Sequence, residues 1–354
     1  MNLVDGSQKR NRSLAVFLVG VFAVIVAITL IANKRSSLAN EIRFPLNNGV
    51  AYLVTYGDYL MAVCHDEKFY VWDWNNLYAR PRVADAQSDQ AALLESGRVI
   101  SVKRFGAEAI IVTNLDSGKV DKEIPILAKN KQVYLGANRS GRTIVAVLMR
   151  ADGGTNGGGQ EVVMVDCNRG WVRPVTELAD AAGDRIMCVA VSDDRGLVVL
   201  AGEKDGQGWV VLVDVGQKRV AWVEKLPDLQ KVRSAVFSPD GSVIYIRGTD
   251  STVQKISTDT GQVLKRLLPR SKNGSTAGDQ HVQTVATSSD GHFMAASVSN
   301  TVYVWDCATE RVIFSKLPGH KLIGGFAFSR DARYLATCDT RQGGTIKIWR
   351  IPKH

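Results

Sequence analysis

The side chains able to do chemistry by themselves are few and scattered. The five histidines, His65, His281, His292, His320 and His354, contain no HxH or HExxH pair, so no local metal-ligand spacing exists. The five cysteines, Cys64, Cys167, Cys188, Cys307 and Cys338, are odd in number and lack CxxC spacing. They fall at strand-like positions and read as small buried hydrophobes rather than disulfides or ligands. The stretch "DGGTNGGG" (152–159) is glycine-rich but lacks the Gly-Lys-Ser/Thr that holds phosphate. No helical pattern follows it, which makes it a hairpin tip. No GxSxG elbow occurs. Catalysis needs a positioned acid, base, nucleophile or metal, and the sequence nominates none, so no cofactor is expected. Asn-x-Ser sequons stand at Asn138 and Asn273.

What positions these residues must be read from composition and pattern. The chain has 354 residues, 45% apolar and 22% charged, enough to bury a large core. Thirty-two glycines against nine prolines suit a turn-rich all-β protein. The net charge of +9 is partly local: Lys9, Arg10, Arg12, Lys34 and Arg35 flank an apolar run. Outside residues 1–35 there remain 39 basic and 34 acidic residues, with no basic block, so nucleic acid is not an expected partner.

The run Leu14–Ala32, "LAVFLVGVFAVIVAITLIA", has no charge over 19 residues. As a helix it reaches about 29 Å, close to the hydrocarbon thickness of a bilayer. A cleaved signal peptide is the rival reading, with Ser37-Leu38-Ala39 resembling a cleavage site. The length of the run and the Lys34-Arg35 pair directly after it favour an uncleaved anchor. The expected order is a short cytoplasmic tail (1–13), a transmembrane helix (14–32), a linker (33–40) and a domain (41–354). A slight excess of basic residues before the run points to an exported domain.

Within that domain a unit repeats. Strand ends recur at "FYVWD" (69–73), "IIVTN" (110–114), "VMVD" (163–166), "VLVD" (211–214), "QKIS" (254–257), "YVWD" (303–306) and "IKIWR" (346–350). A turn flanked by apolar strands precedes each: "TYGD" (55–58), "ESGR" (95–98), "RSGR" (139–142), "DDRG" (193–196), "SPDG" (238–241), "SSDG" (288–291) and "SRDA" (329–332). Two independent landmarks recurring seven times predict seven units of four antiparallel strands. Such units bury both faces only by stacking round an axis, which is a β-propeller. Residues 41–46, with Ile42, Phe44 and Leu46 alternating, are expected to supply the strand that the last unit lacks and so close the ring.

The repeat resembles the WD40 β-propeller family over roughly residues 41–351. Trp72-Asp73 and Trp305-Asp306 match its signature dipeptide, "FSPDG" its first hairpin, and Gly319-His320 its Gly-His pair. Blades two to five lack the tryptophan, and of the two Gly-His pairs only Gly319-His320 precedes a blade, Gly291-His292 falling in a turn. The resemblance therefore points to the family's hydrogen-bonded tetrad in blade seven, with His320 and Asp339 as members beside Trp349. "SDDRG" (192–196) superficially resembles a sialidase box but occupies the ordinary Gly-turn position. The turns "NLDSGKV" and "STDTGQVL" resemble quinoprotein-like turns too, their polar side chains serving the turn backbone.

In a propeller the connections between blades and those between second and third strands share one face. The long stretches 151–159, 203–208, 269–281 and 339–344 all belong there, and the other face is expected to be uniformly tight. Long loops on a rigid scaffold are where binding sites accumulate. Arg270, Lys272, Lys321 and Arg341 are the candidate contacts to an acidic protein partner. The expected function is a non-catalytic, membrane-anchored scaffold; the alternative is an exported quinoprotein-like or lactonase-like propeller.

Overall fold

The computed structural model describes residues 38–43, 49–85, 90–94, 96–103, 105–150, 160–175, 183–248, 252–267, 285–298, 301–316, 319–320, 323–340 and 344–352. The apolar run 14–32 lies outside them. Among the described residues no helix is long and apolar enough to cross a membrane.

The described residues form strands joined by turns. The first strand, β1 (Leu38–Arg43), precedes seven consecutive groups. Blade one is β2 (Val50–Tyr56), β3 (Tyr59–Cys64), β4 (Lys68–Asp73) and β5 (Arg82–Asp85). Blade two is β6 (Gln90–Leu93), β7 (Arg98–Val102), β8 (Phe105–Asn114) and the first half of β9 (Val120–Ala137). Blade three takes the second half of β9 with β10 (Ile144–Arg150), β11 (Gln160–Asp166) and β12 (Trp171–Pro174). Blade four is β13 (Arg185–Val191), β14 (Leu197–Lys204), β15 (Gln207–Asp214) and β16 (Arg219–Leu226). Blade five is β17 (Val232–Phe237), β18 (Val243–Gly248), β19 (Val253–Ser257) and β20 (Val263–Leu267). Blade six is β21 (Val285–Thr287), β22 (Phe293–Val298), β23 (Thr301–Asp306) and β24 (Val312–Lys316). Blade seven is β25 (Ile323–Phe328), β26 (Tyr334–Asp339), β27 (Thr345–Arg350) and, from the start of the chain, β1. All seven expected strand ends close the third strand of their blade.

The ring closes as the repeat requires, but three residues earlier than expected. β1 runs antiparallel to β27, with Leu38 opposite Trp349 and Ile42 opposite Ile346. Phe44 and Leu46, expected to point inward from this strand, lie beyond it and outside the described residues. Pairing is won by the register that brings Leu38 against the cluster around Trp349, rather than by the alternation of 42, 44 and 46. Blades two and three also depart from the expected separation. β9 pairs with β8 through its first half and with β10 through its second, so one strand runs from rim to hub without a loop.

Among the described residues no blade has a core of its own. Each hydrophobic cluster draws on two neighbouring blades: Leu60 and Trp72 with Ile346 and Ile348, or Tyr245 and Val253 with Met294 and Trp305. Burial falls from hub to rim. All six residues of the inner strand β25 are buried, whereas four of five in the outer strand β20 are exposed. Packing reaches the backbone in places. An added Cβ on Gly202 would lie 1.9 Å from the Arg185 carbonyl oxygen, across the bulge in β13. Gly202→Ala is therefore expected to cost about 2 kcal/mol or more, measured by denaturant unfolding.

Candidate functional site

Three regions merit a search for chemistry: the hub channel, the hydrogen-bond network of blade seven, and the two faces. The channel is lined by one strand from every blade, among them Thr55, Ala92, Gly136, Ala190, Val236, Thr287 and Phe326. It holds two cavities of about 700 and 310 Å³. Many of its wall residues are small or β-branched, with Leu53, Phe326 and Phe328 among the larger ones. Among the described lining residues charge gathers at the mouth, where Arg139 pairs with Asp193 at 2.9 Å and Arg330 with Asp58 at 3.6 Å, and Asp290 lies 3.1 Å from the His292 ring. Among the described residues no group of three His, Cys, Asp or Glu side chains is placed to hold a metal. Burial pushes the Cys64 and Cys188 thiols up to about 12 and Cys167 to about 11, far from a reactive thiolate. Cys64, Cys167 and Cys338 are buried, and Cys188 and Cys307 half-buried.

Blade seven brings His320 and Trp349 together on Thr337, which the sequence reading missed, while Asp339 acts on His320 through its charge. The Trp349 indole Nε1–H donates to Thr337 Oγ1 at 2.9 Å, and His320 Nε2 lies 2.9 Å from the same oxygen. Thr337 Oγ1 accepts from the indole, and its own hydroxyl has two acceptors within reach, His320 Nε2 and the Lys347 carbonyl at 3.5 Å. The other ring nitrogen, His320 Nδ1, lies 3.4 Å from Thr345 Oγ1. Desolvation, with Lys347 nearby, pulls the His320 pKa down to about 4, against the opposing pull of Asp339. The signal for Thr337 is available in the register. Leu335 faces Trp349 and Thr337 faces Lys347. In blades one and six the position two beyond the tryptophan's partner is Ala62, opposite Tyr70, and Ala296, opposite Tyr303. Those blades keep the tryptophan and lack the hydroxyl. Trp72 and Trp305 instead sit beside Tyr70 and Tyr303, with ring centroids 6.3 and 5.8 Å apart.

The aspartates of the signature dipeptide cap turns. Asp306 Oδ1 accepts from the Thr309 amide at 2.6 Å, and Asp73 Oδ1 from the Asn75 amide at 2.7 Å. Asp166, Asp214 and Asn114 do the same where the tryptophan is absent. In "SDDRG", Ser192 Oγ accepts from the Leu197 amide at 2.8 Å, as Ser238, Ser288 and Ser329 do in later blades. It is a turn staple. Asn138, a sequon asparagine, is buried and its Oδ1 accepts from the Thr143 amide at 3.1 Å. A glycan there would require that turn to open.

The faces differ from expectation in two respects. Residues 203–208 are no long loop: strand runs to Lys204 and resumes at Gln207 around Asp205-Gly206, both at positive φ. An Asp-Gly pair suits such a two-residue hairpin because both central residues must be left-handed. Nor is the opposite, turn-bearing face uniformly tight, since residues 74–81 separate β4 from β5. The candidate contacts Arg270, Lys272, Lys321 and Arg341 all lie outside the described residues. So do 151–159, 269–281 and 341–343.

Seven blades closed by a strand from the start of the chain, with cores between blades and capped turns, define a β-propeller. Its last two blades match the model "WD40: WD domain, G-beta repeat" over residues 271–306 and 311–350. A curated relative, WD repeat domain-containing protein 83 of Rattus norvegicus, is 26% identical over 184 residues, covering 52% of this chain and 53% of that protein. The chain thus matches about half the length of that relative. Among solved structures, the β-propeller domain of Myceliophteria thermophila Cps50 (Swd1) superimposes with a TM-score of 0.66 at 15% identity, covering 89% of this chain and 99% of that one. The chain is a β-propeller whose last two blades carry WD40 repeats. Such propellers typically bind protein partners as non-catalytic scaffolds.

Proposed function

We propose that the chain is a membrane-anchored WD40-like scaffold, possessing no active site of its own, that holds a protein partner on its loop face. The observation that carries this reading is the placement of β1. A fourth strand starts at the turn face, and Leu38 lies opposite Trp349 beside the end of β27. Only residues 33–37 separate it from the apolar run, a reach of at most about 18 Å. Leu38 and Ala39 belong to β1, so cleavage after Ala39 would cut into the closing strand; this supports an anchor over a signal peptide. The turn face then looks toward the bilayer, on the exported side by the slight basic bias before the run. The connections bearing Arg270, Lys272, Lys321 and Arg341 leave from the opposite ends of the strands. Four cations there suit an acidic partner.

Affinity capture with the full chain in mild detergent tests this, comparing it with a variant lacking 269–281. Partner recovery is expected to fall steeply in the variant while the fold survives. Equal recovery of every partner would remove the loop face from the reading.

A further inference from the structure

We infer that the connection between β4 and β5, residues 74–81, is a lipid-contacting element that lays Tyr78 into the headgroup layer of the bilayer. The inference rests on the anchored reading above. It starts from an exception: this is the longest turn on a face whose other described turns are short. Tyr78 is 84% exposed, whereas the other exposed large hydrophobics reach 37–54% and lie on outer strands at the rim. That exposure is built rather than frayed. The Trp74 amide donates to the Asp58 carbonyl at 2.7 Å, and the Asn75 amide to Asp73 Oδ1 at 2.7 Å. The Asn76 and Ala79 amides close two successive turns on the Asp73 and Asn76 carbonyls.

Position supplies the occupant. Trp74 and Leu77 pack into the cluster shared by blades one and seven, alongside Ile42 of β1. The loop therefore stands in the blade next to the strand that continues from the apolar run, and on the same face. Five linking residues hold that face within about 18 Å of the end of the run, and the headgroup layer takes up roughly 5–8 Å of that gap. An amphipathic ring beside an exposed Arg80 suits such an interface, where the ring meets acyl chains and the guanidinium meets phosphate. Turns of the same face carry paired charges, Arg330 with Asp58, Arg333 with Asp331 and Arg82 with Asp116. Contact therefore depends on the ring more than on anionic lipid.

The full chain in phosphatidylcholine nanodiscs, with a photo-crosslinking amino acid at position 78 or at exposed Gln230 on the opposite face, tests the inference. The expected result is lipid adduct from 78 and none from 230. A chain that resists carbonate extraction but gives no adduct at 78 overturns the loop contact and leaves the anchor standing. A chain extracted by carbonate overturns the anchor itself. Adduct from 230 and not 78 reverses the orientation and sinks the inference.

Discussion

Replacing Leu38–Arg43 with a Gly-Ser segment of equal length is expected to abolish cooperative folding of the ring or lower its stability by about 5 kcal/mol. The replacement removes a ladder of five paired positions along β27 and the contacts of Ile42 and Leu38 in two inter-blade clusters. At roughly 1 kcal/mol net per backbone hydrogen bond, plus the lost burial, the sum approaches the whole stability of an ordinary domain. β27 would also become an unpaired edge, so aggregation should accompany unfolding. Denaturant unfolding in detergent, read by tryptophan fluorescence, measures it. An unchanged midpoint would mean that the ring holds without its clasp.

The second large effect is expected at Thr337. Thr337→Ala leaves the Trp349 indole N–H and His320 Nε2 without their shared partner inside a buried site, at about 1–3 kcal/mol for each group. The fully assembled network also makes stability depend on pH. His320 has a folded pKa of about 4 and an unfolded one near 6.5, so the unfolded chain binds the extra proton between those values. Its contribution is complete above about pH 6.5, declines as pH falls, and is gone below about 4. Between pH 8 and 5 the loss should be about 2 kcal/mol. His320→Gln should remove that portion of the slope. Asp240, Asp290, Asp331 and Glu310, held below their usual range by hydrogen bonds and nearby cations, lose stabilisation at lower pH in both proteins and cancel in the difference. Parallel pH profiles for wild type and His320→Gln would show that the imidazole is not buried neutral.

Much of this fold is legible because a blade is a local object. Four short strands with fixed turn chemistry leave two landmarks per unit, and the turn-capping Asp306 or Ser238 is recognised within a few residues of what it caps. Hairpins follow the same logic, and Asp205-Gly206 marks its own turn; reading 203–208 as a loop overlooked that signal. Thr337 was harder to find. Its role depends on lying two positions beyond the partner of Trp349, and the residues between β26 and β27 hide that register from inspection of the chain alone. The loop 74–81 announces a turn through Asn75, Asn76 and Pro81, but only packing against blade seven separates Leu77 from exposed Tyr78.

By itself the sequence determined the number of blades, their order and the need for a closing strand, because those follow from repeated local patterns and from the rule that no sheet face or edge stays bare. Tertiary structure alone decided where the clasp begins, that blades two and three share one strand, which tryptophan finds a hydroxyl, and which turn carries its ring into solvent. Each of these is a choice between neighbouring registers or neighbouring blades. The energies that separate them are pair contacts across the ring, between residues up to the length of the domain apart, and no local pattern encodes them.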